Sequence, residues 1–193
     1  MNILYEIGNS LYVNITNRCS CACIFCIRKE AEGVHGSESL WLEHEPSINE
    51  IIQAFEQYNL DQYDSIVFCG YGEPLERLDT VLEICKYIRS KSNTKIRINT
   101  NGLSDLINGK ETAELLKGFV DVISISLNAP NKHDYVQIVR PAFGEKSFES
   151  MLKFAKDCSL LIGNVSLTVV DEVISQSQID ACREIAEEIN ATL

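Results

Sequence analysis

The run Thr16-Asn17-Arg18-Cys19-Ser20-Cys21-Ala22-Cys23-Ile24-Phe25-Cys26 sets Cys19, Cys23 and Cys26 apart by three and then two residues. Thiolates at such short range converge on one metal centre more readily than they pair as disulfides. A structural zinc site wants a fourth ligand, usually from a second Cys-x2-Cys pair, and the chain has no such second pair. An iron–sulfur cubane held by three protein thiolates leaves one iron open to an outside ligand, the counterpart of the open position on a catalytic zinc. The ligand count points to chemistry rather than scaffolding.

Three further stretches carry polar groups suited to a ligand. In Phe68-Cys69-Gly70-Tyr71-Gly72-Glu73-Pro74 the two glycines let backbone approach a ligand, and their carbonyls can accept from an ammonium group. Taken alone, Gly72-Glu73-Pro74 also reads as an ordinary strand-to-helix turn. Asn99-Thr100-Asn101-Gly102 is equally readable as a turn. In Ile123-Ser124-Ile125-Ser126-Leu127-Asn128 alternation puts Ser124, Ser126 and Asn128 on one face. Inside a barrel, unpaired polar groups on that face are costly unless a ligand or water meets them.

These stretches need elements to position them. Short β-branched runs at 11–15, 65–68, 95–98, 120–127 and 165–170 read as strands buried on both faces. Between most of them lie helical stripes. Ser47 and Glu50 form a capping box before Ile48, Ile51, Ile52 and Phe55, with the helix ending near Asn59. Leu78, Val81, Leu82, Cys85 and Ile88 make a second stripe. A shorter helix at 111–117 stops at Gly118; Phe148, Met151, Leu152 and Ala155 mark a fourth, and Ile179, Cys182, Ile185, Ala186 and Ile189 a fifth. Such alternation predicts a parallel α/β fold with right-handed crossovers. A closed eight-unit barrel takes about 250 residues, so the 193 residues here predict an incomplete (β/α)5-6 TIM-like barrel. Its cysteine loop follows the first strand, at the end where such folds bind ligands. A sixth strand after the fifth helix is expected to be very short, absent or outside the sequence.

Length predicts a single domain over 1–193. The segment 1–10 lacks the basic-then-apolar pattern of a secretory signal, and no apolar run approaches the roughly 18 residues that span a bilayer. A cytoplasmic location with no membrane partner is therefore expected, and the eight cysteines are expected to be reduced. A net charge of −11 disfavours nucleic acid as a partner; the modest basic segment Lys86, Arg89, Lys91, Lys95 and Arg97 reads as a solvated face. Cys85, Cys158 and Cys182 fall on apolar faces as buried thiols, Cys69 is read the same way, and Cys21 as a non-ligand. The aperiodic segment from Ile27 to Glu45, with Gly33, His35, Gly36, Trp41 and His44, is the candidate lid or substrate wall. His35 and His44 can serve acid–base chemistry, bind substrate or stand as exposed loop residues, and His133, close after Asn128, belongs to the rim of the site as a candidate substrate contact.

The cysteine spacing, with aromatic Phe25 before the third cysteine, resembles the signature of the radical S-adenosylmethionine (SAM) superfamily, and Gly70 to Pro74 resembles its motif that holds the SAM amino group. The resemblance implies that Cys19, Cys23 and Cys26 ligate a [4Fe–4S] cluster whose fourth iron is chelated by SAM. It further implies SAM contacts from Gly70, Gly72, Glu73 and Asn99, from Ser126 and Asn128 with Ser124 deeper and structural, and from Arg140 to the SAM carboxylate. Arg140 is otherwise a surface arginine beside Pro141. The implied activity is hydrogen abstraction from an unidentified substrate, a small molecule, with an electron donor such as flavodoxin or ferredoxin. The alternatives are an activating enzyme that makes a radical on a partner protein, and a non-catalytic iron–sulfur or zinc module. Within the superfamily, Leu11 to Cys19 and Leu40 to Ser47 are most similar to the TatD-associated radical SAM proteins, which implies a link to a TatD-family hydrolase.

Overall fold

A computed structural model describes residues 1–29 and 39–193. Gly33, His35 and Gly36 lie outside the described residues. Strands β1 (Leu4–Ile7), β2 (Ser10–Val13), β3 (Ser65–Phe68), β4 (Lys95–Thr100), β5 (Val122–Ser126) and β6 (Val165–Thr168) form one sheet in chain order. Each strand from β3 onward runs parallel to its predecessor. The sheet is open, an incomplete TIM-like barrel. The strand β1 is an addition to the expected set: it pairs antiparallel with β2 through the two-residue turn Gly8-Asn9, with Gly8 at φ 57°. Apolar Leu4-Tyr5 and Leu11-Tyr12-Val13 around that turn are the signal of a hairpin.

Alternation along each strand divides the two faces. Leu11, Val13, Ile66, Phe68, Ile96, Ile98, Ile123, Ile125 and Leu167 are sealed from solvent in the outer core. The helices α1 (Ile48–Phe55), α2 (Leu78–Lys91), α3 (Ser104–Asn108), α4 (Ala113–Leu116), α5 (Lys132–Val139), α6 (Lys146–Leu161) and α7 (Gln176–Glu188) join the strands. They contribute Ile51, Val81, Ile84, Met151 and Phe154 to the same core. Cys85, Cys158 and Cys182 are fully buried there as apolar side chains. The opposite face carries Tyr12, Arg97, Asn99, Ser124 and Ser126, which register places on the concave side.

Several boundaries depart from the expected ones for local reasons. The first helix ends at Phe55, because Asn59 instead caps a separate 3-10 turn, Leu60–Gln62. Two helices, α3 and α5, were not expected. The latter has few apolar positions, but Asn131 caps it by accepting from the Asp134 amide at 3.0 Å, and it stops where Arg140 turns left-handed at φ 50° before Pro141. Removing that cap by Asn131→Ala is expected to cost about 1 kcal/mol, read as a lower urea midpoint with an unchanged slope. At the far edge, Thr192 makes a parallel bridge to Ser166, donating to Val165 O at 3.1 Å and accepting from Leu167 N at 2.7 Å. The expected sixth βα strand is thus a bridge at residue 192. No helix among the described residues is long and apolar enough to cross a membrane.

Candidate functional site

The cysteine loop leaves β2 and is held from two sides by distant backbone. On one side it runs along the exit of α5: Ala22 N donates to Val139 O and Arg140 O at 3.2 Å, Ile24 N to Ile138 O at 3.0 Å, and Ala142 N to Ser20 O at 2.8 Å. On the other side it rests on the segment after β3, where Glu73 N donates to Arg18 O at 2.8 Å. Glycine is demanded there by space. A Cβ on Gly72 would stand 2.3 Å from Thr16 O and 2.6 Å from Arg18 O, and one on Gly70 2.1 Å from Asn14 Oδ1. The glycine side of this motif faces the chain's own loop.

Glu73 is a brace. Its carboxylate is 3% exposed and accepts from Leu75 N at 3.0 Å, Thr100 Oγ1 at 2.8 Å and Asn101 N at 2.6 Å. Burial pushes its carboxyl up to about 7, against the pull of those donors. The carboxylate therefore ties the end of β4 to the loop after β3. Asn101, a residue not among the expected contacts, extends the tie, with Nδ2 at 3.3 Å from Ser20 Oγ and 3.9 Å from Cys19 Sγ. Its place in the Asn-Gly turn was the available signal.

A cleft of about 190 Å³ opens at this end of the sheet. Cys19 and Cys23 line it from the loop, Gly70, Gly72 and Glu73 from the turn after β3, Asn99 from β4, Ser126 from β5 and Asn128 just beyond. Cys69 lines it too, rather than lying wholly in the core. Asn128 adopts φ 58°, the centre of a tight turn in which Ala129 N donates to Leu127 O at 2.8 Å. Such a backbone is strained and is held by its surroundings, here by Leu127 N and Asn128 N both donating to Thr168 O. Among the described residues neither the Ser126 hydroxyl nor the Asn128 amide has a protein hydrogen-bond partner. Asn99 is engaged, accepting from Arg97 Nε at 2.7 Å.

Cys26 and Arg140 do not line the cleft. Cys26 is half-buried in the following turn, its amide 3.3 Å from Cys23 O, and the Arg140 side chain is exposed. Ser124 is buried below the cleft, as a structural residue would be. His44 is exposed and pairs with Glu50 at 2.9 Å, and exposed His133 lines a separate groove. Neither histidine lines the cleft. Residues 39–45 are fixed to the end of β2 and do not line the cleft: Asn14 Nδ2 donates to Leu40 O at 2.7 Å, Asn17 exchanges hydrogen bonds with Leu42, and Glu45 accepts from Thr16 Oγ1 at 2.5 Å and Arg18 Nε at 2.7 Å. The Trp41 ring packs edge-on against Tyr71 at 5.1 Å.

The thiols are prepared for metal. The neighbouring Cys21 thiol brings Cys19 down to about 6, helped by Arg28 and the Asn101 amide. The same neighbour lowers Cys23. Cys21, crowded between the two, is driven far above its usual range. Thiolates are the metal-binding form, so Cys19 and Cys23 are fit to ligate and Cys21 is not. No three His, Cys, Asp or Glu side chains among the described residues are grouped to share a single ion. A cubane instead assigns each thiolate its own iron. With unpartnered polar groups facing the same cleft, the donor set fits an iron–sulfur cluster and a polar co-ligand.

The family model described as the Radical SAM superfamily matches residues 13–181. A dual-specificity RNA methyltransferase RlmN of Buchnera aphidicola is 30% identical over 91% of this chain and 48% of its own length. A GTP 3′,8-cyclase of Lactiplantibacillus plantarum is 30% identical over 72% of this chain and 41% of its own. The chain thus spans about half the length of the curated relatives it matches. Among solved structures, Streptococcus suis SuiB bound to S-adenosylmethionine superposes with a TM-score of 0.68 at 18% identity, covering 95% of this chain and 39% of that one.

Proposed function

Because the chain belongs to the radical SAM superfamily, whose members use a [4Fe–4S] cluster and SAM, we propose that Cys19, Cys23 and Cys26 hold the cluster and that the cleft takes SAM. Together these cofactors supply an electron and a 5′-deoxyadenosyl radical for hydrogen abstraction. The chain's task is to bind, orient and shield. The carbonyls of Gly70 and Gly72 accept from the SAM amino group, with Glu73 holding that turn in place. Ser126 and Asn128 hydrogen-bond the ribose or carboxylate, and Asn99 borders the same end. Trp41 and Tyr71 help to exclude water from the rim. One observation carries the reading: the Cys19 and Cys23 thiols share a cleft with the unpartnered Ser126 and Asn128 groups.

Reconstituted anaerobically and given SAM and a reductant, the protein is expected to form 5′-deoxyadenosine and methionine. Absence of both from a cluster-loaded sample sinks the reading. Cys26→Ala is expected to lose most of the bound iron while Cys182→Ala keeps it; equal iron in both overturns the ligand assignment. Arg140 remains our proposed partner for the SAM carboxylate, and its exposed side chain has to turn inward to reach it. Arg140→Gln should weaken SAM binding several-fold in calorimetry at constant iron content, and an unchanged affinity removes it from the site.

For the substrate we favour a small molecule, as with the GTP cyclase relative, within a single domain acting in the cytoplasm and served by a flavodoxin- or ferredoxin-type donor. RNA is a second reading, favoured by the RlmN relatives; against it stands the net charge of −11. Retention of labelled RNA by the loaded protein at moderate salt would favour it. The narrower likeness to TatD-associated proteins, resting on 11–19 and 40–47, makes a TatD-family hydrolase a candidate partner. Co-purification tests that link.

A further inference from the structure

Arg97 stands on the concave face in β4 without an anion beside it. Alternation along Lys95–Thr100 buries Ile96 and Ile98 in the outer core and turns Arg97 and Asn99 the other way. Arg97 therefore leaves the solvated basic face expected of its neighbours. Its Nε donates to Asn99 Oδ1 at 2.7 Å, which folds the side chain up the strand toward the cleft that Asn99 lines. The outer nitrogens, Nη1 and Nη2, meet no acceptor among the described residues. Arg18, Arg89 and Arg183 each pair with a carboxylate, whereas half-buried Arg97, in a chain with 28 acidic residues against 17 basic ones, has none among the described residues. A charge held partly out of water and left unpaired is costly, which marks this as a place kept for an anion.

Space lies on both sides of it. Toward the strand ends is the cleft; toward the strand starts a hollow of about 450 Å³ is lined in part by Val122 and Ser166. Register sets Val122 beside Arg97 and Ser166 beside Ser124, so both belong to the same concave face. Ser126 and Asn128, given to SAM, lie four and six residues beyond Val122, well above the level of Arg97. The free Nη1 and Nη2 pair is a fork suited to two oxygens of one carboxylate or phosphate. We propose that Arg97 binds a carboxylate or phosphate group of the substrate, lodged between the cleft and the hollow, so that the substrate class is a small anionic molecule. Asn99, its Oδ1 held by Arg97, is left to present Nδ2 on the same side. The site itself stands on these contacts, and only its service to hydrogen abstraction rests on the radical SAM reading.

Arg97→Met tests this in the full chain, since it keeps an unbranched apolar stem and removes the charge. Inorganic phosphate and succinate serve as separate probes, titrated by calorimetry into the iron-free protein. Wild type should bind at least one of them, and Arg97→Met should bind it about ten-fold more weakly or worse. Arg97→Lys, which keeps the charge without the fork, should fall between the two. Failure of wild type to bind either anion, or equal affinity in wild type and Arg97→Met, overturns the inference. SAM carries a carboxylate of its own, so the reconstituted proteins are titrated with SAM at equal iron per chain. Unchanged SAM affinity in Arg97→Met is expected; a loss of about ten-fold assigns Arg97 to the SAM carboxylate and overturns its assignment to the substrate. Because the anions are titrated without iron, a wild-type chain that takes up no cluster sinks the radical reading while the anion site is judged by its own affinities.

Discussion

Gly72→Ala is expected to cost about 3 kcal/mol of stability, at the upper end of overpacking, and to strip reconstituted protein of most of its iron. The added methyl would stand 2.3 Å from Thr16 O, 2.8 Å from Thr16 C and 2.6 Å from Arg18 O. All of these are backbone atoms, and none can swing away as a side-chain tip can. Relief requires the chain before Cys19 to move, which breaks the contact between Glu73 N and Arg18 O and shifts the first thiol. At Gly70 the obstacle is the Asn14 side chain, pinned by its amide to Leu40 O and Asn2 O. Gly70→Ala should accordingly be milder. Iron per chain and urea midpoints compare the three proteins; a Gly72 variant that matches wild type in both refutes the packing account.

Glu73→Gln should change how stability depends on pH. The folded carboxyl is raised to about 7 from its ordinary 4.5, so the folded state holds this proton more tightly than the unfolded chain. Its contribution is fully present below pH 4.5 and is lost as pH rises toward 7. Relative to the glutamine variant, the iron-free wild-type chain should lose about 3 kcal/mol across that window and level off above it. Difference titrations of the urea midpoint measure this directly. A difference that is flat, or that rises with pH, would mean that the donors from Leu75, Thr100 and Asn101 outweigh burial.

The strands and the ligand-bearing turns were legible because their signals are local. Ser65–Phe68 is a β-branched run whose observed bounds match the expected ones, and alternation puts Ser126 and Asn128 on one face, both of which line the cleft although β5 itself ends at Ser126. What stayed hidden depends on contacts between distant residues. The role of Glu73 as a brace needs Thr100 and Asn101, and the demand for Gly72 comes from Thr16 and Arg18. The helix α5 buries two of its eight residues, too few for a periodic stripe, and is recognisable by its ends, Asn131 and Pro141. The hairpin turn Gly8-Asn9 is a local signal too, set between the short apolar runs Leu4-Tyr5 and Leu11-Tyr12-Val13.

The clasp between the cysteine loop and residues 138–142 also bears on the order in which this protein is made. Residues 20–24 find their hydrogen-bonding backbone more than a hundred positions later in the chain, so the loop has only the segment after β3 to lie against while the first strands alone have emerged from the ribosome. Contacts of such long separation form late and slowly. Iron offered before α5 has folded would meet loose thiols rather than a shaped seat, and a metal centre on these cysteines would have to wait until residues 138–142 have been synthesised.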